Sequence, residues 1–194
     1  EVNRILFSFH QMNNLLGYVY SENTVIRNAK NSIFVSSKDK IIVSNIIPEE
    51  YIAIALGGEW EYKTFKKWSK VIQKILQKDE DIYIIFLGSE NAKKTGIKLL
   101  NEFSNYHLMD FTSRLSFNQT AEVIKQSKVF FCCDGGLMHA AAAVNANFIP
   151  LLARLPAEML LTQDISNYKL YDINNVNNIK VKDMLINYYQ IDNQ

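Results

Sequence analysis

From Tyr51 onward the chain alternates between two patterns, and that alternation restricts its fold more than any other feature. Short apolar runs appear at YIAIAL (51–56), IYIIFL (82–87), HLMDF (107–111), VFFCC (129–133), NFIPLL (147–152) and YKLYDI (168–173). Runs of this length, apolar on successive positions, read as strands buried on both faces. Between them lie stretches with apolar residues three and four apart. Phe65, Trp68, Val71, Ile72, Ile75 and Leu76 make one, and residues 91–103 a second through Gly96, Ile97, Leu100 and Phe103. A third carries Ala121, Val123 and Ile124, with Asn118 as its expected cap. An alanine-rich helix is predicted from Gly136 to about Val144, and a closing one through Val181, Met184, Leu185 and Tyr188. Strands alternating with such helices predict an α/β fold, a doubly wound parallel sheet covered on both faces. Residues 51–194 read as one domain.

Residues 1–50 lack this rhythm. RILFSF, SIFVSS and KIIVSN read as candidate strands, with Asn and Ser frequent between them. This stretch is expected to be a separate N-terminal or interdomain segment. The chain of 194 residues is long enough to bury a core without staples. Its net charge of +1 gives no reason to expect a nucleic-acid partner. Lys63, Lys66, Lys67 and Lys70 fall on the first helical pattern and read as a solvated face. Cys132 and Cys133 are adjacent, poorly placed to pair with each other and too few for a disulfide framework. They read as small core residues in a reducing compartment. No apolar run approaches a membrane span and no signal peptide is visible. The opening on Glu1 fits a piece of a longer protein.

In a doubly wound sheet, ligands bind beyond the carboxyl ends of the strands. Three of these ends carry unusual residues: GGEWEYK, GSE and DGGLMH. In the last, Asp134 sits where strand gives way to turn, and Gly135 and Gly136 permit a tight turn and close backbone approach. The helix that follows offers free N–H groups and a positive dipole end, a seat for a phosphate, with His139 in its first turn as a further donor. A second reading stands beside this one. The glycines make only a turn, Asp134 caps the helix, and His139 is a structural histidine. Glu90 follows the second strand, where an acid holds ribose hydroxyls in nucleotide folds; it equally suits the first turn of a helix. Lys63 reaches a diphosphate or lies on the surface. Trp60 can stack on a base, whereas Trp68 has core spacing. Neither G-x-G-x-x-G nor G-x-x-x-x-G-K-[ST] occurs, which argues against a nicotinamide domain and a P-loop. The acidic DED at 79–81 precedes its strand and reads as a solvated turn. His10, His107 and His139 lack metal-ligand spacing.

IALGGEWEYKTFKKW, IIFLGSEN and VFFCCDGGLMHAAAAVNANFIPLL, in this order and spacing, resemble the C-terminal domain of family nine glycosyltransferases, the lipopolysaccharide heptosyltransferases and their relatives. The resemblance covers residues 51–160. It implies a Rossmann-like half of a GT-B enzyme, binding a nucleotide sugar, typically ADP-heptose. It further implies that Lys63 and His139 neutralise the diphosphate and Glu90 holds the ribose. Asp134, Gly135 and Gly136 shape the sugar-phosphate pocket, with Gly57 and Gly58 in the facing loop. No metal or cofactor is implied, because Lys, His and a helix end take over the cation's role. Gly135 stands where the family carries Thr or Ser, and EYKTFKKW matches the family's Lys-Arg-Trp-Pro segment loosely.

The implied function is the donor half of an inverting glycosyltransferase acting on a cell-surface lipopolysaccharide or polysaccharide, cytoplasmic or peripheral at the inner membrane. The acceptor half needs another ~150 residues, which residues 1–50 cannot supply; they read as its remnant or as an interdomain segment. The general base is expected in that half, so the donor half alone is expected to be inactive. Two rivals remain open: a nucleotide-sugar epimerase on the same architecture, and a non-catalytic module that binds a nucleotide or a partner chain.

Overall fold

The computed structural model describes residues 3–162 and 168–192. Six strands form one sheet: β1 (Tyr51–Ala55), β2 (Tyr83–Leu87), β3 (Leu108–Asp110), β4 (Val129–Cys133), β5 (Phe148–Ala153) and β6 (Leu170–Asp172). Every pairing is parallel, in the order β3-β2-β1-β4-β5-β6. The chain winds outward from β1 to β3, then returns to lay β4 on the other side of β1. The sheet is therefore doubly wound, as the alternating pattern predicts, with its switch point between β1 and β4.

The period of two in a strand divides the core. Ile52 and Ile54 of β1 face one side, with α4 (Trp68–Leu76), α5 (Lys93–Glu102) and α9 (Val181–Asp192). Tyr51, Ala53 and Ala55 face the other, with α6 (Phe117–Gln126), α7 (Gly136–Ala143) and α8 (Ala157–Leu160). Strand residues are consequently buried on both faces, which is why the runs are apolar without alternation. The alanines of α7 let it lie close on the sheet: Ala140, Ala141 and Ala142 are all buried. Cys132 and Cys133 are buried, free thiols. Burial pushes both thiols up, Cys133 to about 12, so neither is a ready nucleophile.

The N-terminal segment corrects the sequence reading. It holds three helices, α1 (Arg4–Leu15), α2 (Glu22–Asn28) and α3 (Ser37–Ser44), where strands were expected at RILFSF and KIIVSN; SIFVSS forms no strand. The reason is local capping. Asn3 accepts from the N–H groups of Ile5 and Leu6, Ser21 from Thr24, and Ser36 from Asp39. At the end of α1, Gly17 turns left-handed at φ 73°, while the N–H groups of Tyr18 and Gly17 donate to the Asn13 and Asn14 carbonyls, a Schellman closure. Asn3 also donates to the carbonyls of Glu158 and Leu161 at 2.7 and 2.8 Å, tying α1 to α8. A smaller correction concerns α6, whose cap is Ser116 rather than Asn118. Ser116 and Gln119 form a capping box, and Asn118 Nδ2 donates instead to the Phe34 carbonyl.

Candidate functional site

A cleft of about 720 Å³ opens at the carboxyl ends of β1, β2 and β4, over the switch point. Gly57 and Gly58 line one wall, Gly88 and Ser89 the next, and Asp134, Gly135 and Gly136 the third. Gly57 has φ +84°, and a Cβ there would lie 2.7 Å from Asn91 Oδ1. Gly58 is packed against its own loop, with a Cβ falling 3.0 Å from the Lys63 carbonyl. Neither position accepts a side chain without displacement. Asn91 crowds Gly57, and Thr64 and the Lys63 carbonyl crowd Gly58; Asn91 Nδ2 also donates to the Gly58 carbonyl at 3.1 Å, bridging the β1 and β2 loops.

Lys63 does not lie on a helix with Lys66, Lys67 and Lys70 as the spacing suggests. It closes a 3₁₀ turn, Glu61–Lys63, and α4 begins only at Trp68. Its ammonium forms an ion pair with Asp134, 71 residues along the chain. Both groups are largely inside, with side chains 20% and 7% exposed. The pair thus stitches the β1 loop to the end of β4 across the switch point. Asp134 spends its carboxylate on this contact and does not cap α7. Gly135 holds the cap position with no side-chain bond, and Met138 and His139 are the first residues whose N–H groups return to the Gly135 carbonyl. The N-terminus of α7 faces the cleft through Gly136 and Leu137, the end of a helix where backbone N–H groups lack intrahelical partners. Gly135 itself is extended, φ 167°, and a Cβ there meets nothing within 4 Å.

His139 stands behind the ion pair. It lines a second cavity of about 380 Å³ with Arg4, Ser8, Asn31, Lys63 and Asp134, so that Lys63 and Asp134 form a wall common to both spaces. Burial pushes the imidazole below the ordinary histidine value; Asp134 opposes that and Lys63 adds to it. Asn31 Nδ2 lies 3.5 Å from His139 Nδ1; with the amide donating, the ring keeps its proton on Nε2.

Glu90 opens the 3₁₀ turn Glu90–Ala92, and its carboxylate points outward to Lys93 at 2.7 Å. That bond holds it below the usual carboxylate range. Its neighbours Ser89 and Asn91, which sequence reasoning passed over, line the cleft instead. Trp60 is exposed at the cleft mouth, and Trp68 is core. His107 stacks on Tyr83 at 4.7 Å. Among the described residues no group of three His, Cys, Asp or Glu side chains could hold a metal ion, and no helix is long and apolar enough to cross a membrane.

A doubly wound parallel sheet with its cleft at the switch point is the architecture of one half of a GT-B glycosyltransferase. The chain belongs to glycosyltransferase family 9 (heptosyltransferase), whose family model matches residues 2–167. No curated protein sequence matches it significantly. Among solved structures it is similar to the Escherichia coli ADP-heptose lipopolysaccharide heptosyltransferase II, with TM-score 0.65, 19% identity and coverage of 82% of this chain and 53% of that one. It is similar to the E. coli heptosyltransferase WaaC with ADP-2-deoxy-2-fluoro heptose, with TM-score 0.57, 15% identity and 94% and 53% coverage. A Methanocaldococcus jannaschii UDP-GlcNAc 2-epimerase shares the fold at TM-score 0.55 and 13% identity, with 82% and 42% coverage. The chain spans about half the length of the heptosyltransferases it matches.

Proposed function

We propose that this chain is the donor-binding half of a glycosyltransferase that moves a heptose or similar sugar from a nucleoside diphosphate to a lipopolysaccharide or polysaccharide acceptor. The carrying observation is the Lys63–Asp134 pair beside the uncapped N-terminus of α7, at the switch-point cleft. Family membership and the ADP-heptose analogue bound by WaaC support the same reading.

On this reading the acceptor hydroxyl oxygen attacks the anomeric carbon from the face opposite the leaving group. The bond from that carbon to the diphosphate oxygen breaks, its electron pair leaves with the nucleoside diphosphate, and the configuration inverts. The hydroxyl proton passes to a base in the acceptor half. Negative charge grows on the diphosphate, where Lys63, the His139 Nε2–H and the α7 N–H groups stabilise it without a metal. Asp134 keeps Lys63 in place, Gly135 and Gly136 let the backbone approach the phosphates, and Gly57 and Gly58 form the packed wall of the donor site facing them. Glu90 serves the ribose by turning from Lys93 toward the cleft beside Asn91. The enzyme works at the cytoplasmic face of the inner membrane, in peripheral contact with it, where its acceptor is assembled.

Titration calorimetry with ADP, UDP and GDP tests the reading. Binding of one diphosphate, weakened by Lys63→Met, His139→Ala and Glu90→Ala in folded protein, is expected. A folded chain that binds none of the three would sink it. Incubation of the donor sugar without acceptor separates transfer from epimerisation: an epimerase rearranges it, and a transferase leaves it intact.

A further inference from the structure

A lysine on a loop reaches a buried carboxylate reliably only if the loop itself is fixed. The loop carrying Lys63 has little regular structure beyond its 3₁₀ turn, yet two clamps hold it immediately before and after the lysine. The first is Arg154, at the end of β5. Its guanidinium carbon lies 3.7 Å from the centroid of the Tyr62 ring, close enough for a stacked cation–π contact. Tyr62 in turn packs against the core. Arg154 holds a left-handed backbone, φ 67°, which is rare for a residue with a side chain. Neighbouring groups fix that conformation: the Arg154 N–H donates to the Asp172 carbonyl at 3.4 Å, and the Tyr171 hydroxyl donates to the Arg154 carbonyl at 3.5 Å. Conformations of this kind persist only where the surroundings impose them, and they concentrate at functional sites.

The second clamp is Asn177. Its Nδ2 donates to the Thr64 carbonyl at 2.9 Å, and its Oδ1 accepts from the Lys66 N–H at 2.8 Å. Asn175 Oδ1 accepts from both the Asn177 backbone and its amide, each at 2.9 Å, and so orients the side chain. Both clamps come from the β5–β6 side of the sheet, beyond the switch point from β1. They grip Tyr62 and Thr64, the two neighbours of Lys63.

We propose that Arg154, with Asn177 as the second clamp, is a positioning residue that presents the Lys63 ammonium to the donor's diphosphate. This rests on the donor-site reading above. Arg154 touches the loop rather than the ligand, so its influence passes through Lys63.

Titrations of the whole chain decide it, with ADP as probe, UDP and GDP in parallel, and adenosine as the phosphate-free control. Arg154→Gly is the first variant, because glycine accepts the left-handed backbone while losing the stack. It is expected to weaken ADP binding about three- to fivefold and to leave adenosine binding unchanged. Asn177→Ala is expected to act in the same direction. In a Lys63→Met background, Arg154→Gly is expected to add nothing. Unchanged ADP affinity in Arg154→Gly overturns the proposal. So does an equal loss with or without Lys63, because Arg154 would then act independently of it. Should Arg154→Gly fail to fold by circular dichroism, Arg154→Asn, which tolerates the left-handed backbone and lacks the guanidinium, removes the same stack without touching the Lys63 contact to the Tyr62 ring and is read identically. Wild-type protein that binds none of ADP, UDP and GDP refutes the donor-site reading, and the positioning role falls with it.

Discussion

The chain carries two glycine pairs at its cleft, Gly57-Gly58 and Gly135-Gly136, and they are glycines for different reasons. The first pair is crowded. A side chain at Gly57 would be strained by φ +84° and would strike Asn91, and one at Gly58 would press on the Lys63 carbonyl. The second pair is open: Gly135 is extended with nothing within 4 Å of a Cβ, and a Cβ at Gly136 meets only the Phe117 ring, at 4.0 Å. One wall of the cleft is therefore built by packing and the other by space. The Lys63–Asp134 pair joins them.

The largest effect is expected from cutting that join. Lys63→Met leaves the Asp134 carboxylate inside without its partner, which should cost about 3 kcal/mol, or a fall of about 6–12 °C in Tm. Lys63→Met/Asp134→Asn should recover most of the loss. Denaturant unfolding of the three proteins checks this; a single mutant as stable as wild type would show that the carboxylate finds water instead.

The next effect tests the crowded wall. Gly57→Ala should lose about 2 kcal/mol, the usual cost of forcing a side chain into such a conformation. Asn91→Ala in the same chain should return part of it by removing the struck atom, though not the backbone strain. If Asn91→Ala returns nothing, the strain alone sets the cost.

These contrasts mark how far the sequence can be read. The sheet was legible because apolar runs of five or six residues such as YIAIAL and VFFCC recur between helical patterns, and it is that alternation which a buried parallel sheet requires. The turn at DGGLMH was legible because a strand, two glycines and an alanine helix point to one local geometry. The N-terminal helices were not read, since a short apolar run such as RILFSF fits helix or strand alike. Asn3, Ser21 and Gly17 carry the deciding cap signals, and Ser116-x-x-Gln119 spells a capping box that outweighs Asn118. The Lys63–Asp134 contact and the Arg154 clamp could not be read at all. Partners 71 residues apart meet only through the strand order. The two glycine pairs also look alike as letters; only the backbone around them separates crowding from space.

A smaller effect concerns pH. His139 sits below the ordinary histidine value because it is partly buried. The unfolded chain therefore binds a proton at this site that the folded chain refuses, between the lowered folded value and the unfolded value of about 6.5. Stability from this group is present above about pH 6.5 and is lost as pH falls through the folded value. His139→Gln should flatten that part of the stability profile, visible as the difference between its unfolding midpoints and those of wild type from pH 7.5 to 5. Parallel profiles would mean that the imidazole takes up its proton in place.

The smallest expected change tests the open wall. Gly135→Ser places a hydroxymethyl group where the structure has room, on a backbone that any residue adopts, so stability should stay within about 0.5 kcal/mol of wild type. The same change at Gly58 should not be tolerated, and the pair of variants isolates space from packing with one chemistry. Calorimetry adds a functional axis. A serine hydroxyl at the N-terminus of α7 lies beside the groups assigned to the diphosphate, and a hydrogen bond to a charged group contributes about 1.5–3 kcal/mol. Tighter ADP binding by Gly135→Ser, at unchanged stability, would mean that the open wall faces phosphate. Weaker binding would mean that the space at Gly135 is already used by the ligand, and that glycine there widens the site.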